Sequence, residues 1–422
     1  MSGALFRPGD YTSAGYPFEP QGPVYLDGDS DPNRRETSLK FGFYPLANVK
    51  DKDLLEQYHL VQPLMEKKDD PRFRARLRQG LVELLTAVDR DVQSNCRIKG
   101  LKITRIGLSI PAQWTLEFED VYREIAMQVF GYIGGNIEAN IFFHTETEAL
   151  AHFLLHETPE HFQVRESEDY RVFLFLDFGG HNMNGCIFNL VQRDQNESPS
   201  FYRIGDAFGV GGGSEHWTFN IGKRVLHEMR NSTGMSLSLE EQRDMLESFN
   251  IKKGSLGPSR ARANQPFKFG PCPVSMSLED ITECFEKGHK NVFEKAKGEI
   301  ELVSEYKAVP QVIISGGTAK HTDVQIRLRG FCNAAGIPEP WFVSGSSMTY
   351  SSGKIAHGVA MAASNCLTIP EFMARGAAFG LQTRECANRG NTNPNNLWND
   401  VGYFLLSQVF LLRRSLRKQS IS

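Results

Sequence analysis

The sequence predicts an α/β fold in two lobes, and three observations carry that prediction. With 422 residues the chain is too long for one simple core. Its second half reads strand-strand-strand-helix-strand-helix, the alternation of a sheet with helices laid against it. The stretch 101–156 repeats the last part of that unit, strand-helix-strand-helix, as an internal duplication whose opening strands are lost.

Residues 1–50 are rich in Pro, Gly and Asp, with strand candidates at 24–26 and 39–44. Residues 53–67 read as a helix. Asp70-Pro71 opens another, with an N-cap carboxylate and a proline in the first turn. Phe73, Leu77, Leu81, Leu84, Leu85 and Val88 repeat at helical spacing as its core face, and Arg72, Arg74, Arg76 and Arg78 form a solvated one. A strand over 101–110 ends at Pro111. Thr115 caps a helix that buries Phe118, Val121, Ile125 and Val129 and stops at Gly134-Gly135. A strand at 137–143 and a helix at 146–156 follow. Strands at 171–177, 185–191 and 201–204 lead into a helix over 215–229. Residues 231–275 are polar and loop-rich, and their Gly/Pro/Arg stretch at 254–265 has the composition of an insertion. Helices at 278–303, 322–335 and 353–364 then alternate with strands at 311–315 and 341–343.

Composition narrows the class. Hydrophobic residues make up 40% and charged residues 23%, a globular mix. A net charge of -3 gives no basis for a nucleic-acid or anionic-membrane partner. The seven cysteines are scattered without a CxxC spacing, so neither zinc nor a disulfide framework is signalled. The N-terminal stretch lacks a secretory pattern and the apolar run at 401–412 is short of the ~18 residues that span a bilayer. Cytoplasmic placement without stable membrane insertion is expected.

Three junctions carry the chemistry. Leu174-Phe175-Leu176-Asp177-Phe178-Gly179-Gly180 is an apolar strand that ends in an acid and two glycines. Glycines let a backbone turn tightly and offer its N–H groups to a phosphate, and an aspartate at a strand end can hold a metal or orient water. Asp-x-Gly-Gly also makes ordinary hairpin turns, so this motif counts only with its partners. The second junction, Gly209-Val210-Gly211-Gly212-Gly213-Ser214, stands before a helix and has the character of an anion site. It lacks the Gly-Lys-Ser/Thr ending of a P-loop. The third, Val312-Ile313-Ile314-Ser315-Gly316-Gly317-Thr318, is again strand, glycine pair and helix.

Over residues 100 to 365 this order resembles the nucleotide-binding domain of the seventy-kilodalton heat-shock (DnaK-type) chaperones, within the actin and sugar-kinase superfamily. Leu108-Ser109-Ile110-Pro111-Ala112 resembles that family's strand ending in Val-Pro-Ala. Thr145 to Ala151 resembles its Glu-Pro-x-Ala-Ala-Ala helix start, and Lys354 to Ala360 its Ala-Val-Ala-x-Gly-Ala-Ala helix. Asp177 to Gly180 resembles its second phosphate motif, Gly211 to Gly213 its turn on the terminal phosphate, and Ser315 to Thr318 its adenosine motif. In style the chain is similar to short, divergent chaperone-like proteins of filamentous fungi.

The resemblance implies an actin-like ATPase fold of two ribonuclease-H-like lobes, the first incomplete. Residues 1–100 would be the periphery of the first lobe and 101–165 its core. Residues 166–220 and 308–382 would form the core of the second lobe, 221–307 an insertion in it, and 383–422 a tail. It further implies a cleft for ATP or ADP with magnesium. Asp177 and Glu146 would be its catalytic acids, with Asp177 on the metal. Gly179, Gly180, Gly212, Gly213, Gly316, Gly317, Thr318 and Lys320 would line it. The departures weaken catalysis. Nothing in residues 1–100 reproduces the family's first phosphate loop, Asp-x-Gly-Thr-Thr, for which Tyr25 to Asp29 is the nearest stretch. Asp27, Asp29 and Asp31 have calcium-loop spacing, but Pro32 and Ser38 stand where glycine and a bidentate Glu are needed. His181, Asn182 and Asn184 replace the third glycine, the threonine and the second aspartate of the second motif, His181 as a tolerated substitution. Lys320 stands where the family stacks an arginine on the base. A peptide-binding domain is not expected. The expectation is therefore a chaperone-like nucleotide binder that hydrolyses weakly or not at all. Its alternatives are a pseudo-ATPase scaffold for other proteins or a sugar-kinase-like enzyme.

Overall fold

The computed structural model describes residues 3–6, 12–15, 39–47, 49, 55–56, 58, 61–133, 140–162, 171–191, 200–234, 237–259, 267–268, 275–306, 308–343 and 351–363. The chain is mixed α/β. Among the described residues no helix is long and apolar enough to cross a membrane. The strand candidate at 24–26, the aspartates at 27–31, the glycine stop at 134–135 and the tail at 383–422 lie outside the described residues.

A hairpin of β1 (Gly3–Phe6) and β2 (Thr12–Gly15) opens the chain. The stretch expected as a strand at 39–44 is instead a 3-10 turn, Leu39–Gly42, running into α1 (Phe43–Leu46). The turn lets every residue from Phe41 to Ala47 be buried, which an alternating strand in a half-buried sheet does not. Of the helix expected at 53–67, α2 is Gln62–Met65. The long helix α3 (Pro71–Ile98) starts as expected, with the Asp70 carboxylate accepting the Arg72 N–H at 2.8 Å. Phe73, Leu77, Leu81 and Leu84 are buried along it.

β3 (Ile106–Ile110) and β4 (Ile141–Thr145) form a parallel pair, Ile106 opposite Ile141 and Ile110 opposite Thr145. Between them runs α4 (Leu116–Phe130). Thr115 sits at its N-cap without capping it, because its hydroxyl donates to the Glu117 carboxylate. α5 (Glu146–Glu157) follows β4 directly. Thr145 and Glu148 close a reciprocal capping box, and Arg203 holds Glu148 at 2.6 Å.

The second half is one five-stranded sheet ordered β11-β10-β5-β6-β7, from β5 (Arg171–Phe178), β6 (Asn182–Val191), β7 (Ser200–Gly211), β10 (Gln311–Ser315) and β11 (Trp341–Phe342). β5, β6 and β7 are antiparallel, while β10 runs parallel to β5 and β11 parallel to β10. Period-two alternation explains why β5 is apolar throughout. Val172, Leu174 and Leu176 enter one core with Val312 and Ile314, while Phe173 and Phe175 enter the other with Ile313. The first core is covered by α6 (Ser214–Thr233), α7 (Leu239–Lys252), α8 (Leu278–Ser304) and α9 (Thr322–Ala334). A short pairing of β8 (Phe267–Lys268) with β9 (Ser275–Met276) precedes α8. α7 corrects the reading of 231–275 as loop-rich. Ser238 and Glu241 form a capping box there, and Met245 and Phe249 are buried.

The last helix, α10 (Ser351–Ala363), packs on β3 and α5 and so ties the second half to the first. A Cβ on Gly358 would lie 1.7 Å from the Ala149 carbonyl oxygen, so the α5–α10 contact requires glycine.

Candidate functional site

The three glycine junctions meet at one end of the sheet. Asp177 ends β5 directly beside Ser315 of β10, in parallel register, and opposite Asn184 of β6. Thr318 joins all three turns: its hydroxyl donates to the Gly179 carbonyl at 2.7 Å and accepts the Ser214 N–H at 3.4 Å. The structure thus brings Asp177, Gly179, Gly180, Gly212, Gly213, Gly316, Gly317 and Thr318 together.

The glycine run before α6 is built differently from the expected loop. Gly209 and Gly211 continue the β6–β7 ladder, Asn184 opposite Gly209 and Asn182 opposite Gly211, so the turn is confined to Gly212 and Gly213. Most of the amides there already have protein acceptors. Gly179 N–H donates to the Asn182 carbonyl at 2.9 Å, Gly212 N–H to His181 at 2.9 Å, Gly213 N–H to Gly288 at 2.8 Å and Glu215 N–H to Gly180 at 2.9 Å. Glu215, in the first turn of α6, complements the positive helix end and pairs with Lys253 at 3.3 Å. These glycines permit close packing of backbone on backbone. A Cβ on Gly213 would lie 2.6 Å from the Gly179 carbonyl oxygen, and one on Gly316 would lie 2.1 Å from that of Phe178. Gly317 differs: it is exposed, and a Cβ there would meet nothing within 4 Å.

On the β6 side the charged chemistry is neutralised. Asn184, 1% exposed, accepts the Ala112 N–H at 3.1 Å and an N–H of Asn182 at 3.2 Å, and donates its own amide to the Glu146 carboxylate. An aspartate at 184 would set two carboxylates face to face, whereas the amide satisfies Glu146 and ties β6 to α5. Asn182 also reaches Gln113 at 3.4 Å.

Aromatic residues from the N-terminal third fill the space beside this network. The Phe41 ring meets the edge of His181 at 4.8 Å, and the Tyr58 ring lies 6.5 Å from that of His216 in the first turn of α6. Tyr44 and Tyr58 are each 1% exposed, beside Gln113, and burial pushes both phenols well above their ordinary range. Burial comes first in the shift of Tyr58, and the charges of Tyr44 and Glu146 add to it. The sequence held no motif for this feature, only the aromatic density of residues 41–58.

On the β10 side the balance is cationic. Lys354, in the first turn of α10, is 5% exposed and donates to the Val343 carbonyl at 3.1 Å. Burial, and then the charge of Lys320, hold its ammonium below the ordinary lysine range, while Asp177 acts in the opposite direction. In the sequence Lys354 is marked only as the first residue of the 354–360 helix motif. Among the described residues, no group of three or more His, Cys, Asp or Glu side chains is placed to hold a metal ion.

Compared with protein-family models and with curated proteins, the sequence finds no match in either.

Proposed function

We propose that the chain is a degenerate nucleotide-binding protein of the heat-shock-70 and actin kind, built as two ribonuclease-H-like halves of which the first is incomplete. It holds ATP or ADP and hydrolyses it slowly or not at all. The observation that carries the reading is the convergence of Asp177, the paired glycines and Thr318 at one end of a sheet ordered β11-β10-β5-β6-β7. Ligands of open α/β sheets sit in the crevice beyond the carboxyl ends of the parallel strands. The parallel β3–β4 pair and the α5–α10 contact support the two-half arrangement. A cytoplasmic placement goes with this reading.

Slow turnover follows from the side chains. Phosphoryl transfer depends on positioning and electrostatic stabilisation. Here Glu146 accepts the Asn184 amide, Asn184 carries no charge, and the buried Tyr58 ring lies against His216 at the start of α6. Nucleotide is accommodated on the Gly316–Gly317 side, where Gly317 is open. Magnesium fits the residues poorly, since it calls for carboxylate oxygens, while Glu146 is engaged by the Asn184 amide and Glu215 by Lys253.

The test is a melting curve with ATP or ADP. A ligand at about 100 times its Kd stabilises by ~2.7 kcal/mol, an easily read shift. Gly317→Asp abolishes the shift. A parent protein whose melting does not move at millimolar nucleotide sinks this reading. It would favour a second one, a protein-interaction scaffold, for which the protein-satisfied amides around Gly212, Gly213 and Glu215 are the supporting observation.

A further inference from the structure

We propose that the crevice binds the phosphate groups of its ligand without a divalent metal, through the ammonium groups of Lys354 and Lys320. The proposal rests on the nucleotide reading above, and names the chemistry by which that site holds its anion.

Three observations carry it. Lys354 is 5% exposed, and among the described residues only the Val343 carbonyl accepts from it. An ammonium has three donors, and a buried cation is stable only where acceptors or anions surround it. Second, the Val343 that Lys354 holds donates its own N–H to the Ile314 carbonyl at 2.8 Å, which sets the ammonium at the carboxyl end of β10; Lys320 and Asp177 both act on it there, and the nearby Glu215 and Lys253 neutralise each other. That balance draws an anion and repels a dication. Third, Gly317 leaves an entry: it is exposed, with open space where a side chain would be, three residues from the exposed Lys320. Lys354 also stands in the first turn of a 13-residue helix, where the positive dipole end adds to its charge.

The β6 side argues against a metal independently. A magnesium site draws on carboxylates with water in the remaining positions. Asn184 is neutral, and Glu146 is engaged by its amide. Asp177 is the acid of β5 at this end of the sheet, and its charge acts on the buried Lys354. The neutral Asn184 and the lysine at 354 act in the same direction, toward lysine-held phosphate. An arrangement in which Lys354 only pins Val343 against α10 predicts no effect of that lysine on ligand.

The experiment uses the full chain and isothermal titration with ADP and with inorganic tripolyphosphate, each in excess EDTA and in excess magnesium. Binding of both in EDTA, as tight as in magnesium, is the expected result. Lys354→Met weakens both by at least about tenfold, the loss expected of one charge-assisted contact. Lys320→Met, on an exposed residue that leaves the fold intact, weakens both several-fold and serves if Lys354→Met does not fold. Binding of ADP that disappears in EDTA overturns the proposal. So does parent-like affinity in both lysine variants. Tripolyphosphate binding in EDTA without ADP binding sinks the nucleotide reading alone and keeps the lysine site. Binding of neither ligand sinks both.

Discussion

Replacing Gly213 by alanine separates the two roles a glycine can have at this site. Gly213 has φ 128° and ψ −161°, a region essentially reserved for glycine. Holding a Cβ there costs ~1–3 kcal/mol. That Cβ would also lie 2.6 Å and 2.8 Å from the carbonyl oxygens of Gly179 and Gly180, backbone atoms held by their own hydrogen bonds. Overpacking of this kind adds ~1–3 kcal/mol. Together the substitution removes ~2–6 kcal/mol from a protein whose whole stability is of the order of 5–15 kcal/mol. Gly317→Ala is the control. Gly317 has φ −65° and open space at its Cβ position, so alanine there changes stability by no more than ~0.5 kcal/mol. Urea unfolding of the three proteins, with equal slopes, reads the difference as a shift of midpoint. Equal midpoints for Gly213→Ala and Gly317→Ala would refute the packing argument. Gly213 would then be free to serve a ligand's approach.

Three further outcomes are expected. Steady-state ATP turnover is negligible and Asp177→Asn leaves it unchanged. Robust phosphate release that this substitution abolishes would show an effective catalytic site. Asn184→Asp sets a carboxylate against Glu146 in a buried pair, so the variant melts well below the parent at neutral pH and recovers toward it as acid protonates the pair. A variant equally stable at both pH values would contradict the contact. Finally, burial lowers His152 and His289 from 6.5 to about 4, so the unfolded chain takes up these protons first as pH falls. Their stabilising contribution is complete above pH 6.5 and is lost on descent toward 4, at about 1.4 kcal/mol per pH unit for each. Urea midpoints that stay level between pH 7 and pH 5 would overturn this.

Much of the secondary structure was legible because its causes are local. The runs Val172 to Leu176 and Val312 to Ile314 read as strands since both faces of a central strand need apolar side chains. Helices at Pro71, Glu146, Leu278 and Thr322 were legible, the first by its apolar period and its Asp70 cap. The helix at Leu239–Lys252 was also encoded, in Ser238 and Glu241, but a polar surrounding masked it. The turn at 39–44 escaped because aromatic residues there bury against a core assembled from α3 and α4, which no neighbouring residue specifies. The same division runs through the site. Sequence by itself determined that two glycine junctions follow apolar strands with a glycine-rich helix start between them, and that an asparagine stands at 184 and a lysine at 354. Tertiary structure alone decided that Thr318 ties the junctions, that carbonyls of the chain itself take the amides, that Tyr58 stands beside Glu146, and that Lys354 comes under the charges of Lys320 and Asp177. A glycine that admits a phosphate and one that admits another backbone have the same local signature. Only what packs against the missing Cβ distinguishes them, and that neighbour comes from far along the chain.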